Sequence, residues 1–284
     1  MLSHFKSYSI KVNDKLFLLD RPRVMGILNT TNDSFYDGSK YHTIDSALYH
    51  VETMITEGAD IIDIGGQSSR PGADMISPDE ELKRTVPVVE AVKKRFPDTP
   101  VSIDTFRAVV ARANIEAGAG IINDISAGED DAEMLHTVAR LRVPYIAMHK
   151  QGQPKTMQIN PQYEDVTHTI LDYFRDKIKL FQSHGLTDLI IDPGFGFGKT
   201  LAHNYSLMNE LELFHELGCP LLIGVSRKSM VCKLLKVDPK DALNGSTVLH
   251  TVALLKGAHI LRVHDVKEAV QAIRIVEQFR MPGH

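Results

Sequence analysis

At 284 residues the chain is long for one domain, yet it fits one large barrel or two compact domains. With 43% hydrophobic and 24% charged residues it excludes long disorder, collagen-like repeats and coiled coil, and no apolar run reaches the length of a membrane span. A net charge of -4, no basic block and no Trp argue against a nucleic-acid partner, while Cys219 and Cys232 form neither a CxxC pair nor a disulfide framework. The first residues, MLSHFKSYSIKVNDK, lack the apolar core of a signal peptide, so a cytoplasmic protein is expected.

Tyr8–Val12 and Leu16–Leu19 flank Asn13-Asp14 and predict a small hairpin, placed to plug one end of whatever follows. From there, short and nearly continuous apolar runs recur: 24–28, 60–64, 101–103, 120–122, 143–147, 189–191, 220–225 and 259–263. Such runs read as strands covered on both faces. Helical periodicity lies between them. Ile44, Ala47, Leu48, Val51, Met54 and Ile55 recur at three- and four-residue steps, with Gly58 after them. Ser77-Pro78-Asp79-Glu80 predicts a capping box with Pro at the first helical position. Further amphipathic stretches cover 107–117, 132–141, 165–183, 205–216, 242–255 and 266–279. Eight strand–helix units predict a (β/α)₈ barrel over 22–279, with 1–21 as an N-terminal extension. An open doubly wound sheet would give the same alternation, but no linker marks the second domain it would often bring at this length.

In a barrel, chemistry sits where strands exit into loops. Here the exits carry Asn29 and the loop to Phe35, then Gly65–Gly72, Asp104, Asn123-Asp124, Met148-His149, Asp192–Lys199, Ser226-Arg227-Lys228, and Arg262 with His264-Asp265. Singly, such residues are ordinary caps and surface groups. Together they form a ring of acids, amides and cations that predicts an active site. Asp104, Asn123 and Asp192 offer planar acceptors suited to a flat heterocycle with an amino-amide edge. Arg262 and His264, two residues apart on a strand, share a face and suit an anion. Gly194–Thr200 ends like a phosphate-cradling P-loop, but Pro193 stands where its first Gly belongs. No HExxH or Cys/His cluster has zinc spacing.

The blocks MGILNTTNDSFYDG, GGQSSRPGA, SIDTFR, INDISAG, GQPKTMQ, DPGFGFGKT, GVSRKS and RVHDVKE resemble the dihydropteroate synthases of folate biosynthesis, in that family's order and over about Pro22 to Phe279. The resemblance implies a (β/α)₈ barrel, a homodimer, and a transferase that joins 6-hydroxymethyl-7,8-dihydropterin diphosphate to 4-aminobenzoate. By motif it implies that Asp104, Asn123, Met148, Asp192 and Lys228 hold the pterin. Asn29, Arg262 and His264 then meet the diphosphate, with Mg²⁺ at Asn29. Phe35, Ser69, Arg70, Pro71, Phe197, Ser226 and Lys228 form the aminobenzoate site, where sulfonamides also bind. Catalytic roles fall to Asp104, Lys228, Arg262 and His264, in a dissociative displacement at the exocyclic methylene. Asn32, Ser39 and Ser69 depart from the family's usual Pro, Gly and Thr, which bears on loop behaviour and sulfonamide sensitivity. Alternatives are a pterin-binding methyltransferase barrel, a non-catalytic pterin-binding paralogue, and an aldolase-type barrel with Lys228 as Schiff base.

Overall fold

The computed structural model describes residues 5–30, 40–67, 75–152, 157 and 161–280. Strands β1 (Tyr8–Val12) and β2 (Lys15–Leu19) pair antiparallel, Val12 facing Lys15 across the turn. Asn13 and Asp14 both take positive φ, 47° and 61°. A two-residue hairpin turn of the kind that matches strand twist demands this, and Asn and Asp tolerate it better than other side chains.

Eight parallel strands follow: β3 (Arg23–Asn29), β4 (Ile61–Gly65), β5 (Val101–Asp104), β6 (Ile121–Asp124), β7 (Tyr145–Met148), β8 (Leu189–Asp192), β9 (Leu222–Ile223) and β10 (Ile260–Val263). They lie in the order β8-β7-β6-β5-β4-β3-β10-β9. A parallel bridge between Ile191 and Leu221 joins the two ends, so the sheet closes into the expected barrel. Around it stand α1 (Lys40–Glu57), α2 (Pro78–Arg95), α3 (Ala108–Glu116), α4 (Met134–Leu141), α5 (Val166–Ser183), α6 (Leu201–Asn209), α7 (Ser229–Leu235), α8 (Leu243–Leu255) and α9 (Val266–Arg280).

Helix α2 starts as its sequence dictates. The Ser77 hydroxyl accepts the Glu80 N–H at 3.2 Å, Pro78 occupies the first turn, and Asp79, Glu80 and Glu81 precede a last turn of Lys93, Lys94 and Arg95. The Glu80 carboxylate turns instead to Arg84, accepting at 2.8 Å. Three expectations shift. The strand expected at 143–147 starts only at Tyr145, because Pro144 has no N–H for the ladder and contributes its carbonyl to Ile122. Pro220 shortens β9 in the same way, offering only its carbonyl to Ile191. The helix expected at 205–216 begins earlier, at Leu201, where Thr200 and His203 form a reciprocal cap, and gives way to a 3₁₀ turn over Leu211–Leu217. Helix α7 was not foreseen, being too short for its periodicity to show.

The core has two shells. Ile10, Val12 and Leu19 of the hairpin pack with Met25, Ile61, Ile121, Ile146, Ile190, Leu222 and Ile260, which fill the barrel at its N-terminal end. The hairpin is tied to that end by the Lys11 N–H on Asp188, at 2.8 Å, and by the Asn13 amide donating to the Gly118 carbonyl. Outward-facing strand residues such as Val24, Leu28, Ile62, Ile64 and Ile103 meet the helices. With one end plugged, the inward positions left for chemistry lie higher in the barrel, toward its C-terminal mouth.

Candidate active site

Strand period two carries each inward row from plug to mouth. In β10 the series runs Ile260, Arg262, His264; in β4 Ile61, Asp63, Gly65; in β6 Ile121, Asn123; in β8 Ile190, Asp192. Directly above the apolar plug therefore lies a polar floor. The Arg262 guanidinium donates through Nε to Asp63 and through a terminal nitrogen to Asp104, both at 2.6 Å. The Asn123 amide donates to the same Asp63 oxygen at 3.0 Å. Burying two carboxylates around one guanidinium leaves excess negative charge where solvation is poor. Burial pushes Asp104 up to about 7, Arg262 pulls the other way, and Asp63 adds to the rise. Burial opposes the charge on Arg262, but Asp63 and Asp104 hold it above the usual arginine range.

The loop after β8 builds the opposite wall. Asp192, raised by burial against the pull of Lys228, accepts the Gly194 N–H at 2.7 Å. Gly194 has φ 74°, and a Cβ there would lie 1.8 Å from the His149 carbonyl, so only glycine fits. Gly198, φ 64°, likewise abuts the Gln151 carbonyl, 2.3 Å from where its Cβ would stand. The loop thus presses against the chain leaving β7, and its Gly194 and Gly196 N–H groups are given to Asp192 and Asn204, where a P-loop would turn them to phosphate. Lys228 reaches across from the end of β9. Its ammonium donates to the Phe195 carbonyl at 2.7 Å and lies 4.8 Å from the centre of the Phe197 ring. Burial lowers it to about 8, with Asp192 opposing.

An apolar wall completes the mouth: Met148 and Phe197 cluster with Phe106, Ile125 and Met157. Ser226 and His264 sit together at the rim, the serine hydroxyl 3.2 Å from His264 Nδ1 and accepting the His264 N–H at 3.2 Å. Between Ser226 and Lys228, Arg227 turns away with φ 55°, gripping Asp265 at 2.6 and 2.9 Å. Asn29 ends β3 beside Gly65 of β4.

Of the expected site residues, Asp104, Asn123, Met148, Asp192, Phe197, Ser226, Lys228, Arg262 and His264 stand on strand ends or loops at one mouth, with Asn29 on its edge. Phe35, Ser69, Arg70 and Pro71, with Asn32 and Ser39, lie outside the described residues. Arg262 differs from its expected pairing: it shares a strand face with His264 but lies one layer deeper, committed to Asp63 and Asp104. Two buried charges were missed. Asp63, in the middle of an apolar run, read as strand; Lys199, after the glycine loop, was set aside with the P-loop. A charge inside an otherwise apolar run is the signal that marks Asp63; no comparable signal marks Lys199.

Comparison with known proteins agrees with this geometry. The pterin binding enzyme family matches residues 25–264. Dihydropteroate synthase of Escherichia coli strain K12 is 49% identical over 262 residues, covering 91% of this chain and 92% of that one. The Yersinia pestis dihydropteroate synthase solved with a sulfonamide drug has a TM-score of 0.90 at 46% identity, covering 96% of this chain and 99% of its own. That of Xanthomonas albilineans, solved with 4-aminobenzoic acid, gives 0.91 at 40% identity, covering 98% and 100%. The same organism's enzyme in complex with 7,8-dihydropteroate gives 0.87 at 37%, covering 97% and 100%. The chain belongs to the pterin binding enzyme family and, within it, to the dihydropteroate synthases.

Proposed function

We propose that this chain condenses 6-hydroxymethyl-7,8-dihydropterin diphosphate with 4-aminobenzoate to give 7,8-dihydropteroate and diphosphate. The observation that carries the reading is the gathering of Asp104, Asn123, Asp192, Lys228 and Arg262 from five separate strands and the loops that follow them over one plugged floor. A carboxylate and an amide facing inward match the paired N–H donors and the acceptor of a pterin's amino-amide edge. Met148 and Phe197 supply the flat apolar contact its ring needs.

In the reaction, the bond from the exocyclic methylene to the diphosphate oxygen breaks first and its electron pair leaves with the diphosphate. The ring-conjugated cation left behind lies near Asp104, whose carboxylate stabilises it electrostatically. The neutral amino group of 4-aminobenzoate then forms the new carbon–nitrogen bond and releases one proton to solvent. Arg262 and His264 receive the negative charge of the departing diphosphate, which asks Arg262 to exchange part of its present pairing for phosphate oxygens. Lys228 orients pterin and borders the arylamine, together with Phe197 and Ser226. Phe35, Ser69, Arg70 and Pro71 complete that site in the same reading.

Among the described residues no three His, Cys, Asp or Glu converge on a metal site. A single neutral oxygen donor, Asn29 at the edge of the mouth, fits Mg²⁺, which keeps waters and takes its remaining ligands from substrate phosphates. Bound there, it would neutralise charge on the diphosphate. No helix of the described residues is long and apolar enough to cross a membrane, and we assign the chain to the cytoplasm. A homodimer is supported by exposed Val248, Ile275 and Phe279 on neighbouring helices α8 and α9. The relative solved with a sulfonamide drug supports sulfonamides as competitors of 4-aminobenzoate here.

The deciding experiment mixes purified protein with the pterin diphosphate, 4-aminobenzoate and Mg²⁺. Dihydropteroate is expected by mass, equimolar with released diphosphate. Pterin binding without that product would leave the paralogue reading in its place.

A further inference from the structure

One buried cation has no part in holding substrate in the scheme above. Lys199 is 2% exposed, yet its ammonium has three acceptors: the Gly194 carbonyl at 2.8 Å, the Phe197 carbonyl at 3.1 Å and Nδ1 of His149 at 3.1 Å. Using every donor is what makes burial of an ammonium tolerable. Each partner leads to the pocket. Gly194 donates its N–H to Asp192; Phe195, between the two clamped carbonyls, accepts Lys228; and the Phe197 ring lies under the same Lys228 ammonium. His149 follows Met148 at the end of β7. Gly194, Gly196 and Gly198 add no side chains to this loop, whose packing rests on the buried Phe195 and Phe197 between them. Ties at its outer edge come from Tyr163, donating to the Gly198 carbonyl at 3.0 Å, and from Asn204, accepting the Gly196 N–H at 2.7 Å.

We propose that Lys199 is a positioning residue, its ammonium tying the end of β7 to the loop after β8 and so setting the Gly194 N–H, Phe195 carbonyl and Phe197 ring that orient Asp192 and Lys228. The inference rests on the synthase reading above. Its test is Lys199→Met in the full chain, a neutral side chain of similar length. Steady-state dihydropteroate formation is followed while each substrate is varied, beside thermal unfolding. The KM for 4-aminobenzoate is expected to rise, and kcat/KM to fall by about tenfold or more, since small displacements in a reacting site cost on the order of 10²-fold. The unfolding midpoint is expected to fall as well, because three buried acceptors lose their donor, so the 4-aminobenzoate KM is the readout that decides.

A loss of kcat at unchanged KM would mean a merely structural role and overturn the proposal. Should the methionine variant not fold, His149→Leu removes one acceptor and leaves Lys199 in place, while His149→Asn restores an acceptor near Nδ1. The leucine variant is expected to raise the aminobenzoate KM about threefold, the scale of one lost hydrogen bond, and the asparagine variant to recover it. Identical KM values in wild type and both variants would sink the proposal. An active wild type beside indifferent variants sinks this inference alone, whereas an inactive wild type sinks the synthase reading and this with it.

Discussion

Asp63 shows what a single side chain decides in this molecule. One of its oxygens accepts from both Arg262 and Asn123; the other is buried and has no hydrogen-bond partner among the described residues. Its charge is one reason the neighbouring Asp104 is raised to about 7, after the larger effect of burial. The sign of a substitution follows. Asp63→Asn removes a negative neighbour, so Asp104 gives up its proton more readily and stays ionised to lower pH. The acid limb of kcat/KM, expected near about 7 if ionised Asp104 stabilises the cation, should move down in the variant. The alkaline limb, set by loss of the Lys228 proton near about 8, should stay. An acid limb that does not move would show that Asp104 does not govern it. Nothing at a strand end advertises Asp63. Reading chemistry at strand exits finds Asp104, Asn123, Asp192 and Lys228, but passes over an acid one layer below the rim. The same layering explains Arg262: periodicity places it on one face with His264, yet only the plugged floor shows how deep that face runs.

Among elements, the hairpin is the clearest case of local sequence becoming global architecture. Asn13 and Asp14 make the turn, and alternation along β1 and β2 turns Ile10, Val12 and Leu19 onto the barrel's lower layer. The turn chemistry and alternation were legible in the sequence, as were the eight strands and their polar exits, because two-faced burial writes a continuous apolar run. Element starts were less so: Pro144 and Pro220 sit inside apolar runs while withholding the N–H a ladder needs. Helix α7 was illegible because seven residues hold too little of a helical repeat. The hairpin's placement separates stability from function. Leu19 is fully buried, so Leu19→Ala should lower the free energy of unfolding by about 2–5 kcal/mol in denaturant titration. Both substrate KM values should be unchanged, since Leu19 closes the end of the barrel away from the mouth. A raised KM would mean that the plug supports the polar floor directly.

At the scale of the whole molecule, the ring is uneven. Strands β3 and β4 share five paired positions, whereas β9 has two residues and meets β8 through the single bridge between Ile191 and Leu221. Fewer ladder bonds and a proline on the same seam make it the part of the barrel that opens at least cost. The site straddles that seam. Asp192 ends β8, Lys228 follows β9, and near the mouth their segments are linked by the Lys228 ammonium, which donates to the Phe195 carbonyl and lies over the Phe197 ring. A pterin held by Asp192 and Lys228, as proposed, would add bonds across the seam that the chain alone makes sparsely, and a ligand that binds only the closed ring stabilises it by mass action. Hydrogen exchange tests this. The amides of Ile191 and of Leu222–Ile223 are expected to exchange faster than those of Ile27 and Ile64 in the free protein. They should slow selectively when a pterin without the diphosphate is added at saturation. Protection gained evenly around the ring, or none at the seam, would mean that ligand does not hold the barrel shut there and that the two-residue strand is as firm as its neighbours.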